Sequence, residues 1–134
     1  MEGNPMTRIN VVPVEELCDQ HLLAEYREIT RIPNGLISGR LAPTYNDRPS
    51  QYTLGSGHVK FFADKLKYLW HRHRQLYDEC VKRRFNVKFT WPYDDYKIDG
   101  FDVWHDYKPT PEALELNRAR IRERMPINPR FTKV

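Results

Sequence analysis

The residue spacing between 58 and 84 constrains the fold most. Val59, Phe62, Leu66, Leu69, His73, Leu76 and Cys80 recur at alternating steps of three and four residues. Only an α-helix brings such positions onto one face, so this segment predicts a helix from near His58 to about Arg84 with one side buried. A second pattern of the same kind lies in "PVEELCDQHLLAEYREIT" (13–30), where Val14, Leu17, Cys18, His21, Leu22 and Ile29 share a face. "IPNG" (32–35) carries turn chemistry and is expected to stop this helix, with loop to about Gly57. A third helix opens at "TPEA", with Thr110 as N-cap, Pro111 at the first helical position and Glu112 at the positive end of the dipole, and stops before Pro126. Between the second and third helices, "FNVKFTWPYDDYKIDGFDVWHDY" (85–107) keeps no steady period and reads as loop with short turns or strands. The tail "PINPRFTKV" reads as extended, attached through Ile127 and Phe131. The expected architecture is all-α: a compact three-helix single domain with long loops.

A chain of 134 residues suffices for one hydrophobic core, and 13% aromatic content is too high for disorder. No apolar run approaches the length of a membrane span. Cys18 and Cys80 both fall inside helical apolar patterns and are expected to be reduced core thiols. His71 and His73 are two apart on a helix and point away from each other, and neither cysteine has a second ligand at zinc spacing, so no metal site is expected.

Charge is distributed unevenly. The formal net charge is +4, yet residues 58–84 and 118–134 hold most of the cations while the first thirty residues are mostly acidic. Basic clusters of this kind suit a polyanion, nucleic acid first; a solvated basic surface is the plainer alternative. "LGSGHVKFF" (54–62) reads as a glycine turn ahead of a helix N-terminus: either a plain turn and helix start, or a place where backbone N–H groups meet a DNA phosphate, with His58 as the candidate residue. On the first helix, Gln20, His21, Arg27, Glu28 and Arg31 crowd together. His21 and Glu28 stack two turns apart on one side, and Arg27 and Arg31 are neighbours four apart. Glu25 sits among Cys18, Leu22 and Ile29, which gives it a structural role.

The stretches "MTRIN…ELCDQHLLAEYREI" and "LGSGHVKFFADKL" (54–66), with weaker matches at "ECVKRRFNV" (79–87) and "ARIRER" (119–124), resemble the phage-type pyrimidine-dimer DNA glycosylase/AP lyases, the small UV-repair enzymes also called endonuclease V. The resemblance implies an N-terminal segment that threads between helices to the DNA face. It implies excision of UV-induced cyclobutane dimers through an imine formed by the α-amine of Thr7, followed by β-elimination, with Glu28 as the catalytic carboxylate. It further implies that Arg8, Arg27 and Arg31 hold phosphates, that Gln20 and His21 lie near the lesion, and that Arg120 and Arg124 reach phosphate from the third helix. No metal or organic cofactor is implied. The expected partner is double-stranded DNA carrying pyrimidine dimers or abasic sites, the expected state a monomer, and the expected place the cytoplasm, either on the nucleoid or, if viral, in the host.

Three features depart from that pattern. "MEGNP" (1–5) precedes the start of the resemblance; with it attached, the Thr7 nitrogen is an amide rather than an amine. Met6 is therefore the expected functional start and 6–134 the glycosylase/lyase domain. If the leader persists, the alternative is a non-catalytic DNA-binding relative on the same scaffold. Residues 36–53 and the tail "MPINPRFTKV" also differ from the family's corresponding loop and C-terminus.

Overall fold

The computed structural model describes residues 7–92, 97–98 and 100–133. Residues 1–6, expected to hold the leader and Met6, lie outside the described residues. Five α-helices carry the described fold: α1 (Asp19–Glu28), α2 (Arg31–Ser38), α3 (His58–Phe62), α4 (Leu66–Lys82) and α5 (Pro111–Glu123). A two-stranded antiparallel hairpin, β1 (Lys97–Ile98) with β2 (Phe101–Asp102), sits between α4 and α5. The all-α class therefore holds, and the count of three helices is corrected.

Two local causes account for the extra helices. Pro33 has no N–H to give to the Ile29 carbonyl four residues back, so the first helix ends at Glu28. Pro33 is then the third residue of α2, in a first turn where its missing donor costs nothing, and the helix runs on through Asn34 and Gly35 to Gly39, which closes it at φ 85°. "IPNG" thus lies inside a helix. Gly35 is needed there for another reason, since a Cβ would come within 2.8 Å of the Leu41 side chain. The second break divides the long expected helix at 63–65. There the chain turns outward to pair with the strand-like segment around Trp104: Leu66 N–H donates to Val103 O (2.9 Å) and His105 N–H to Asp64 O (3.3 Å). The first helix also begins later than its apolar period suggests, because Val14–Glu16 form a single 3-10 turn and Leu17 and Cys18 are extended.

The apolar stripe survives the break: Phe62, Leu66, Leu69, His73, Leu76 and Cys80 are all fully buried. They pack with Leu22 and Ile29 of α1, Ile32 and Leu36 of α2, and Ile9, Val12 and Leu17 of the N-terminal segment. A second aromatic group, Tyr52, Phe61, Phe62, Tyr68 and Tyr107, packs edge-to-face at 5.0–6.2 Å, with Phe62 and Tyr68 stacked at 5.7 Å. Cys18 and Cys80 are buried free thiols, and burial pushes Cys80 up to about 11. Thr110 caps α5 as its sequence suggests, its hydroxyl accepting the Ala113 N–H at 3.0 Å.

The N-terminal segment crosses this core in extended form, without a neighbouring strand, so its backbone groups must find side chains. Val11 and Val12 N–H both donate to Asn117 Oδ1 of α5 (2.7 and 3.1 Å), and Asn10 pairs with Asn117 Nδ2 (2.8 Å). Asn10 N–H and its side-chain amide both reach Glu25 (3.2 and 2.9 Å). Glu25 is gripped bidentately by Arg72 (2.9 and 3.0 Å), whose third contact is Val12 O (2.6 Å). Glu25 and Arg72 are 1% and 3% exposed, so their charges persist only because each is paired and hydrogen-bonded. The tail adheres through polar groups rather than Ile127 and Phe131, which are 95% and 47% exposed; Thr132 and Arg130 bond instead to Asp19.

Asn117→Ala leaves two buried N–H groups without an acceptor. The expected loss is about 3 kcal/mol or more in urea denaturation, together with faster amide exchange at Val11 and Val12.

Candidate active site

The crossing segment emerges beside α1, and its exit is fixed at Ile9 by one side-chain acceptor and one side-chain donor. Ile9 N–H donates to His58 Nε2 (2.8 Å) while Tyr52 OH donates to Ile9 O (3.1 Å). One residue earlier, Arg8 N–H donates to Glu28 Oε1 at 3.0 Å. Thr7, half-buried, directly precedes the residue whose N–H Glu28 holds.

Around this exit lies a cavity of about 530 Å³ lined by Arg8, His21, Glu28, Gly55, Arg120 and Arg124, among others. Elements distant in sequence supply it: the N-terminal segment gives Arg8, α1 gives His21 and Glu28, and the end of α5 gives Arg120 and Arg124. His21 and Glu28 do lie on one side of α1, as their seven-residue spacing requires. Gly55 stands at the rim with φ 78°, a conformation that favours glycine.

Glu25 also lines the cavity, but its charge is taken by Arg72. Glu28 thus faces three guanidiniums. Arg8 is held below the usual arginine range, first by burial and then by Arg120 and Arg124, with Glu28 opposing the shift. The cations repel one another across the cavity, and Arg120 is partly relieved by Glu123 at 3.4 Å. Such an arrangement favours an anion that can sit among them, and phosphate oxygens accept from guanidinium forks in good geometry.

The remaining candidates occupy other positions. Gln20 gives its side-chain N–H to Asn128 O (2.8 Å) and accepts Arg130 N–H (3.0 Å), so it holds the tail. His21 Nε2 lies 3.1 Å from Arg124 O. Arg27 is exposed on α1 and Arg31 half-buried at the start of α2, and neither lines the cavity. His58 is 2% exposed, with Nδ1 at 2.8 Å from Thr53 O and Nε2 taken by Ile9. It has no ring nitrogen left for a phosphate. The following helix α3, only five residues long, also lacks the dipole expected of a phosphate-binding N-terminus. His58 is a positioning residue for the N-terminal segment.

Sequence reasoning gave Glu25 a structural role but missed its partner Arg72, and missed Asn117. Glu25 and Arg72 carry opposite charges at core phases of two separate helices, a signal for a buried pair; Asn117 gave none.

Burial pulls His58 down to about 4, with Arg8 and Arg120 adding to the effect and the Thr53 carbonyl opposing it. Burial pulls His73 to about 4 as well. Both bind a proton near 6.5 when unfolded and refuse it in the native state until about 4. Between these values the unfolded chain holds more protons, so stability rises with pH across that window. The histidine contribution is expected to be complete above pH 6.5 and to be lost as pH drops towards 4. Below that, protonation of Asp19, which against the opposing effect of burial is held below the usual carboxylate range by Thr132 and Arg83, continues the fall. Each histidine accounts for roughly 3 kcal/mol. Denaturation between pH 7 and 4 measures the slope, and a His58 Cε1–H resonance that does not titrate above pH 5 assigns it.

A family model described as pyrimidine dimer DNA glycosylase matches residues 6–93. The match spans Thr7, Arg8, Gln20, His21, Arg27, Glu28, Arg31 and His58 and ends before α5, whose Arg120 and Arg124 complete the cavity. A basic cavity around one carboxylate suits a DNA substrate, and the match extends over well over half of the chain: this protein belongs to the pyrimidine dimer DNA glycosylase family.

Proposed function

We propose that the protein excises cyclobutane pyrimidine dimers from duplex DNA and cuts the strand at the resulting site, with the α-amine of Thr7 as nucleophile and Glu28 as its partner. The observation that carries this reading is the 3.0 Å bond from Arg8 N–H to Glu28, because it ties the residue after Thr7 to the one carboxylate of the cavity not engaged by Arg72.

The chemistry follows from these groups. A terminal amine has an unperturbed pKa of about 7.7–8.0, so a useful fraction is neutral near pH 7 without the large shift a lysine needs. The neutral amine adds to C1′ as the glycosidic bond to the 5′ pyrimidine breaks, and the sugar ring opens to an imine. Glu28 stabilises the cationic sugar in the first step and carries the C2′ proton in the second, in which the 3′ C–O bond breaks. Water then hydrolyses the imine and frees the amine. Arg8, Arg120 and Arg124 hold the flanking phosphates, and Arg27 and Arg31 extend the contact along the backbone. The reading requires Met6 as the functional start and its removal, since a longer chain blocks the amine.

Borohydride trapping on dimer-containing and abasic duplexes tests it, comparing chains that begin at Thr7 and at Met1. A trapped adduct on Thr7 in the shorter chain alone is expected. Glu28→Gln should lower cleavage about a hundredfold or more while retaining duplex binding. No adduct from the shorter chain on either duplex would sink the imine mechanism and leave a DNA-binding relative. Replacing Arg8, Arg120 or Arg124 by Gln should each reduce the slope of log affinity against log salt by about 1.

A further inference from the structure

We propose that Ile127 is a wedge that enters the base stack of the duplex beside the cavity. The inference rests on the duplex-binding part of the reading above and adds a residue whose contact is with bases rather than phosphates.

Ile127 is 95% exposed, the most exposed large hydrophobic residue described. It is nonetheless held firmly. Upstream, Arg124 O is met by His21; downstream, Asn128 O accepts from Gln20 (2.8 Å), Arg130 N–H returns to the same Gln20 side chain (3.0 Å), and Arg130 O accepts Asp19 N–H (2.6 Å). Pro126 and Pro129 bracket the position and fix their own φ angles. The first turn of α1 therefore grips this tail on both sides of one aliphatic side chain and turns that side chain into water. Holding it there buries no apolar area, so the arrangement gives the free protein nothing.

The location suggests the occupant. Both His21 and Arg124, the upstream anchor pair, line the cavity with Glu28. Arg124 and Arg130 flank Ile127 with positive charge. A single side chain offers far too little surface for a protein partner, whereas one aliphatic side chain between base pairs is enough to unstack a step and kink a duplex. An opened step exposes the sugar that the chemistry must reach. In this arrangement Gln20 and His21 serve the lesion through the tail: they set the height and direction of Ile127.

The test uses the chain that begins at Thr7 and a dimer-containing duplex with 2-aminopurine in the step next to the lesion. Binding of the unaltered protein should raise the fluorescence severalfold as the step unstacks. Ile127→Ala should abolish most of that rise and weaken dimer-duplex binding about tenfold, while Ile127→Leu keeps both. Ile37→Ala removes another exposed aliphatic residue, 55% exposed at the end of α2, and should change neither. Thermal midpoints should be equal for the unaltered chain and its two Ile127 variants, because Ile127 supports no packing. No rise with the unaltered chain, or a rise that Ile127→Ala leaves intact, overturns the wedge. A protein that traps the imine but unstacks without Ile127 loses this inference alone. One that unstacks through Ile127 but forms no adduct loses the amine mechanism alone.

Discussion

The whole arrangement depends on an extended segment that crosses the core without a strand beside it. From Arg8 to Val12, five consecutive backbone N–H groups end on side-chain acceptors: Glu28, His58, Glu25, then Asn117 twice. A buried N–H without an acceptor costs about 1–3 kcal/mol, so the segment can lie in this track in one register only. Sliding it by one residue would misalign all five bonds together. The position of Thr7 is thus fixed largely from behind the cavity, by His58, Glu25 and Asn117 together with Glu28.

The polar residues divide accordingly into two groups. Glu25, Arg72, Asn10, Asn117 and His58 are buried and mutually satisfied, and their task is geometric. Arg8, Glu28, Arg120 and Arg124 face the cavity, where Arg8 is still strained by its fellow cations. Glu25 and Glu28 differ by three positions on one helix, yet Arg72 neutralises the first and leaves the second to the cavity. One ion pair separates a carboxylate committed to the core from one left facing the cavity.

Much of this was legible in the sequence, and the exceptions have physical causes. The stripe from Phe62 to Cys80 was readable because burial on one face dictates spacing whether or not the helix is continuous. The break at 63–65 was hidden because it comes from pairing with Val103 and His105, residues about forty positions away. Pro33 and Gly35 signal a turn in isolation, but a proline in a first turn is compatible with helix, and the missing side chain of Gly35 admits Leu41. The His21–Glu28 face was visible from period alone. His58 misled because a histidine after a glycine turn looks available until the acceptor for Ile9 is known. The tail misled because apolar residues suggest adhesion, whereas Asp19 and Gln20 do the holding.

The side-chain track also orders events in time. The segment that carries Arg8 to Val12 is synthesised before its acceptors, which sit 15 to 106 residues downstream. Loop closures of that span come late and slowly compared with local helix formation. A stretch made before all of its acceptors is therefore seated late, and nothing local can seat it early. A nascent or half-folded molecule has helices but no defined exit for its N-terminus. A completed core is in this way the condition for Thr7 to take a fixed place beside Glu28.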